Sequence, residues 1–195
     1  SSVSAAKKVL RSVRNPNAYR AKGSRPACRP RRVSRTRCGL GILLFDRTDK
    51  GSTLKILTML DEYSRRCLAI RVERQIQSEH VLFTLWQAMT TYGIPRYIRS
   101  DNGSEFIAQK IQTWLRENQI KTLYIDPGSP WQNGYIESFH SRFRDECLNR
   151  EWLLNLREAR VVIEDWRQHY NEERPHSRLG YLTPETFLAN QKVSP

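Results

Sequence analysis

No run of apolar residues in this sequence approaches the roughly 20 that a membrane span requires, and residues 1–13 lack the apolar stretch of a secretory signal. A membrane-embedded role is therefore not expected. Cysteine is scarce: Cys28, Cys38, Cys67 and Cys147 are far apart and no pair has CxxC spacing. The four histidines are equally dispersed, so neither a zinc site nor a disulfide framework is expected, and the thiols are read as free in a reducing cytoplasm. Acidic residues are absent from the first 45 positions. The chain also opens on Ser rather than Met, so a fragment or a mid-gene start is expected.

The net charge of +13 points to a nucleic-acid partner, but its distribution limits that inference. Residues 1–37 hold 12 Lys/Arg and no Asp/Glu, while the other 158 residues hold 21 basic and 20 acidic side chains. Nearly all of the excess charge sits in the first segment. Residues 1–40 are rich in Arg, Ser, Pro and Ala and lack helical or strand periodicity, so they read as a basic, unstructured segment. Such a segment is either a DNA-touching arm or a tail without a role.

From residue 41 the pattern becomes that of a folded core running to about residue 190. Gly41 to Phe45, Thr53 to Asp61 and Arg65 to Glu73 read as three closely spaced strands, an antiparallel meander. A helix is predicted from Ser78 to Tyr92, with Leu82, Leu85, Trp86 and Met89 on one face and Gly93 as its stop. Arg96 to Ser100 and Lys121 to Ile125 are further strands, separated by a helix over Phe106 to Asn118. Helices over Gly134 to Leu148 and Leu156 to Asn171 follow. The order β-β-β-α-β-α-β-α-α predicts an α/β fold with one mixed sheet flanked by helices.

Two carboxylates stand at informative places. Asp101 closes the fourth strand, and open α/β sheets bind ligands at the carboxyl ends of strands; Asp-Asn-Gly is equally an ordinary turn sequence. Glu137 lies one turn into a helix that follows the Pro- and Gly-containing stretch 127–135, where a glutamate also suits the helix dipole. On that helix Ile136, Phe139 and Phe143 are expected to be buried, whereas Glu137, His140, Ser141 and Arg144 form a separate polar stripe. A carboxylate and a guanidinium on one face suit a metal ion and a DNA phosphate. A solvated helix face is the alternative.

The motifs SDNGSEF (Ser100 to Phe106), PGSPWQNGYIESFHSRFRDECLN (Pro127 to Asn149) and HYNEERPHSRLGYLTPETF (His169 to Phe187), with LTMLDEYSRRCLAI (Leu57 to Ile70), closely resemble OrfB-type insertion-sequence transposases of the retroviral-integrase superfamily. The resemblance runs from about residue 44 to 190. It implies an RNase H-like fold with a five-stranded mixed sheet, and DNA transposition by metal-dependent phosphodiester cleavage and strand transfer. It further implies a D-D-E triad in which Asp101 matches the second Asp and Glu137 the Glu, with 35 residues between them. Mg²⁺, with Mn²⁺ as a substitute, is the implied cofactor. Double-stranded DNA (element ends and target) is the implied partner, engaged by a homo-oligomer in the bacterial cytoplasm at the nucleoid. Asn102, Gln132, Asn133, His140, Ser141 and Arg144 are the implied DNA contacts.

The first triad position departs from the family. There the catalytic Asp lies in a pattern like V-W-x-x-D-F-x-F-D-R, and Phe45-Asp46-Arg47 matches its end. Counting back four from Asp46 gives Ile42, preceded by Cys38-Gly39-Leu40-Gly41 instead of Val-Trp. Asp46 cannot substitute, because four strand residues span about 13 Å and metal–oxygen bonds are about 2 Å. Asp61 and Asp126 read as turn residues. One explanation is genetic. Arg37 to Leu43 can be encoded AGG TGT GGG CTT GGG ATT TTG, and reading from the third base gives Val-Trp-Ala-Trp-Asp-Phe. A base gained or lost near codon 43 or 44 would leave the upstream segment out of frame. A catalytically inactive relic that at most binds DNA is therefore the alternative to an active transposase.

Overall fold

The computed structural model describes residues 34–100, 109–124 and 134–191; at 34–43, 100 and 124 it describes the backbone. Five strands form one sheet in the order β3-β2-β1-β4-β5. They are β1 (Ser34–Arg47), β2 (Thr53–Asp61), β3 (Cys67–Glu73), β4 (Pro95–Ser100) and β5 (Lys121–Tyr124). β1, β2 and β3 pair antiparallel, as a meander requires, while β1–β4 and β4–β5 are parallel. The helices are α1 (Ser78–Tyr92), α2 (Gln109–Glu117), α3 (Gly134–Phe143), α4 (Leu156–Glu172) and α5 (Pro184–Gln191).

The two faces of β2 set the layers. Leu54, Ile56 and Leu60 join one buried cluster with Phe139 and Phe143 of α3 and Ala159, Ile163, Trp166 and Tyr170 of α4. Leu57 and Met59, of opposite parity, are equally buried, so both faces of the sheet's centre are covered. α1 buries Leu82, Leu85 and Met89 as expected and packs on β3 and α2, with Trp86 half-exposed at the edge of that face. It stops at Gly93, whose φ of 96° only glycine adopts without strain.

β1, β3 and the end of α3 depart from the sequence reading by two residues or more, the other described ends by one at most. β1 begins at Ser34 rather than Gly41, because its first residues pair in parallel with β4, from Ser34↔Pro95 to Gly39↔Arg99. That strand state comes from tertiary pairing, which the mixed pattern SRTRCGL does not announce. β3 begins at Cys67 rather than Arg65. Asp61 organises the preceding turn by accepting from Ser64 N (3.0 Å) and Ser64 Oγ (2.5 Å), and Arg65 takes a left-handed φ of 61°. Such a conformation costs a non-glycine residue about 1–2 kcal/mol. The third difference lies beyond α3, where the chain widens into a π-helical turn over Arg144–Leu148, with Asn149 N bonded to Arg144 O at 2.8 Å. α5, not anticipated, follows Thr183, whose Oγ1 accepts from Thr186 N at 3.2 Å.

α4 is fixed to the sheet by a buried amide. Asn171 Oδ1 accepts from Cys67 N (2.8 Å) and its Nδ2 donates to Cys67 O (2.9 Å), which satisfies strand groups beside the β2–β3 register shift. The Arg167 guanidinium, paired with Glu164, also donates to Cys67 O at 3.0 Å. Burial pushes the Cys67 thiol pKa well up, so this cysteine is an inert core residue.

Candidate functional site

One face of α3 is locked into the core. Phe139 sits edge-on to Tyr170 with centroids 5.1 Å apart, and Phe143 lies 4.7 Å from Trp166. Ile136 is buried beside them, as its spacing predicted. With that face fixed, Glu137 in the first turn points out and is exposed, as are Ser141 and Arg144 further along. Among the described residues no cation pairs with Glu137 and no carboxylate pairs with Arg144.

His140 departs from the solvated stripe expected of it. Its Nε2 lies 2.8 Å from Oγ1 of Thr58, a buried residue of β2, so the ring is turned onto the sheet. Burial, reinforced by the nearby Arg144 charge, lowers its pKa to about 4, which leaves the imidazole neutral at pH 7. Thr58 is a neighbour of the candidate site that the sequence reading missed. The signal was available: it is the one hydroxyl at an inward position of the apolar strand TLKILTMLD.

The Thr58–His140 bond ties α3 to the middle of the sheet. Thr58 pairs with Gly41 on β1, and two residues earlier Gly39 pairs with Arg99, next to the end of β4 at Ser100. The carboxyl end of β4, the Gly41 region of β1 and the first turns of α3 therefore converge. Between Gly41 and Leu44 the β1–β2 register advances three residues on one strand and two on the other. Ile42 lies in that bulge, a type of irregularity common beside active sites. Asp101, Asn102, Gln132, Asn133 and Asp126 lie outside the described residues.

Asp46 belongs elsewhere. Its carboxylate acts on Cys147, whose pKa burial pushes up to about 12 with Glu151 and Asp46 adding to the rise. Cys147 is ten residues beyond Glu137, about 15 Å along a helical rise, so Asp46 is remote from the Glu137 end of α3. Asp61 is the turn residue expected of it, and its burial raises its pKa.

Residues 42–130 match a family model described as an integrase core domain, and residues 118–184 match a second model of the same description. Together they span most of the folded chain. The chain belongs to the integrase-core family. A protein of insertion element IS476 from Xanthomonas euvesicatoria is 43% identical over 150 residues, covering 77% of this chain and 43% of the relative. A protein of insertion element IS407 from Burkholderia multivorans is 40% identical over 151 residues, covering 77% of this chain and 54% of the relative. Within the family this integrase core is thus similar to proteins of insertion elements, and it spans about half the length of the curated relatives it matches. The magnesium-bound catalytic core of HTLV-2 integrase, in a dimeric form, superposes with a TM-score of 0.56 at 16% identity, over 80% of this chain and 96% of that one. The RNase H-like fold expected from the resemblance is the fold of the molecule. No helix among the described residues is long and apolar enough to cross a membrane.

Proposed function

We propose that this chain is the core of a transposase that cleaves and joins DNA strands at the ends of a mobile element, with Asp101 and Glu137 as metal-holding carboxylates. The observation that carries this reading is Glu137: exposed, without a cation partner among the described residues, and held at the convergence of β4, the β1 bulge and α3 by a helix whose other face is core. Hard divalent ions such as Mg²⁺ or Mn²⁺ want oxygen donors, and a carboxylate without a competing cation suits them. When bound, such ions activate a water or a 3′-hydroxyl and stabilise the leaving oxygen of an in-line displacement.

The chain's own residues do the rest. Arg144 offers a guanidinium to a phosphate on the same face, and Ser141 a hydroxyl, with Asn102, Gln132 and Asn133 as further DNA contacts. His140 is neutral and engaged by Thr58, so its first role is to hold α3 on β2 rather than to bind phosphate as a cation. The basic residues that precede β1 serve as an arm on DNA, ahead of a core that begins with β1 and runs to about residue 190. A homo-oligomer of this chain acting on double-stranded DNA is part of the same proposal.

One observation favours a second reading, a relic that binds DNA without processing it. Ile42 occupies the first carboxylate position and cannot ligate a metal. A strand-transfer assay with Mg²⁺ or Mn²⁺ compares the chain with its Ile42→Asp variant. The variant is expected to be at least 100-fold more active. Equal, measurable activity in both would show that position 42 is dispensable. Inactivity of both, with DNA binding retained, would favour the relic. The gene's own codons at 37–43 test the frame explanation, and codons incompatible with Val-Trp-Ala-Trp-Asp-Phe would end it.

A further inference from the structure

A second concave site lies on another flank of α3. A cavity of about 460 Å³ is lined by Arg65, Ser138, Arg142, His176, Ser177 and Arg178, with the Tyr135 ring beside Arg65. Tyr135, Ser138 and Arg142 form a stripe at i, i+3 and i+7, turned about a third of a revolution from Glu137, Ser141 and Arg144. The cavity is therefore distinct from the Glu137 face although the same helix builds both.

Its charged lining residues are cationic and sit among Leu60, Phe139 and Tyr170. Among the described residues no carboxylate pairs with Arg65, Arg142 or Arg178, whereas Arg66 pairs with Glu185 (2.5 Å) and Arg174 with Glu146 (2.6 Å). Arg65 is set in place by its left-handed turn, with its guanidinium 5.4 Å from the Tyr135 ring centroid. His176 is buried, 3% exposed, packed edge-on to Tyr170 at 4.7 Å, and among the described residues its Nε2 has no hydrogen-bond partner. A polar atom buried without a partner calls for a ligand or an ordered water. Burial above all keeps the ring neutral; a hydrogen bond with the Tyr170 backbone opposes it, the Arg174 and Arg142 charges reinforce it, and Glu146 opposes them. Guanidinium forks match phosphate oxygens, and serine hydroxyls are common phosphate donors.

We propose that this cavity seats a phosphodiester of the DNA backbone, a positioning contact separate from the Glu137 face. The proposal rests on the reading that the chain acts on DNA. The test is fluorescence anisotropy of the full chain with labelled duplexes of two unrelated sequences over a NaCl series, comparing Arg65→Gln, Arg142→Gln and Arg178→Gln with the unaltered chain. Each variant is expected to bind both duplexes several-fold more weakly. Each should also flatten the slope of log K against log[salt] by about 0.9, the loss of one phosphate contact. Arg178 is exposed, so its replacement leaves the fold intact and keeps the test valid if a half-buried arginine proves structural. Unchanged affinity and slope in all three variants, with the unaltered chain binding DNA, would overturn the cavity proposal alone. Failure of the unaltered chain to bind any duplex would overturn both this proposal and the transposase reading.

Discussion

The two sides of α3 are built from consecutive residues and do opposite work. Ile136, Phe139 and Phe143 face the core, where Trp166 and Tyr170 of α4 close around them. Glu137, Ser141 and Arg144 face outward and make no ion pair among the described residues. The first side contributes stability through burial, and the second stays exposed at the candidate site. The comparison teaches that chemistry on the outer side can be removed without unfolding the protein, whereas a change on the inner side removes both.

Phe139→Ala is the harshest way to break that separation. It deletes a side chain 2% exposed and packed on three aromatic rings, and should cost about 3–5 kcal/mol, read as a lower urea midpoint. An unchanged midpoint would mean that α3 is not anchored as described. Asn171→Ala comes next. It leaves Cys67 N without its acceptor, while Arg167 still serves Cys67 O, so a loss of about 1–3 kcal/mol is expected.

Smaller again is the pH response of His140, which stands between the two sides. Its folded pKa of about 4 lies below the ordinary value of 6.5. The unfolded chain therefore binds more protons between those values, and stability is full above about pH 6.5 and lost as pH falls towards 4. His176 adds to the same trend. His140→Gln should flatten the fall in melting temperature between pH 7 and 4.5; an identical fall in the variant would show that the Thr58 contact does not hold a neutral ring. The smallest stability effect is expected for Glu137→Gln, within about 0.5 kcal/mol, measured by the same denaturation. A large loss would mean that Glu137 is structural.

Much of this was legible in the sequence, and the exceptions have physical causes. Thr53–Asp61 and Ser78–Tyr92 were read with the bounds they have, since the turn sequence ahead of the first and helical periodicity ending at Gly93 in the second are local signals. The strand state of residues 34–40 was not, because it depends on pairing with β4, 60 residues away in sequence. Arg65 read as strand because a left-handed arginine has no compositional mark. The polar stripe of α3 was read correctly for Glu137, Ser141 and Arg144. It was misread for His140, whose burial depends on a hydroxyl on another strand. The cationic cavity was also invisible, since Arg65, Arg142 and Arg178 come from three separate segments. Of the candidate site, Glu137 is placed by the fold and Ile42 by the backbone bulge, while Asp101, Asn102, Gln132 and Asn133 lie outside the described residues.

Glu137 is proposed to act in a metal-dependent carboxylate set whose first position is held by Ile42. Strand transfer by Ile42→Asp and by the double variant Ile42→Asp, Glu137→Gln, each with Mg²⁺ and with chelator, tests it most directly. The account predicts activity in the single variant with Mg²⁺, at least 100-fold above the unaltered chain, and its loss both in the double variant and with chelator. Activity that persists after Glu137→Gln, or that is indifferent to the metal, would contradict it.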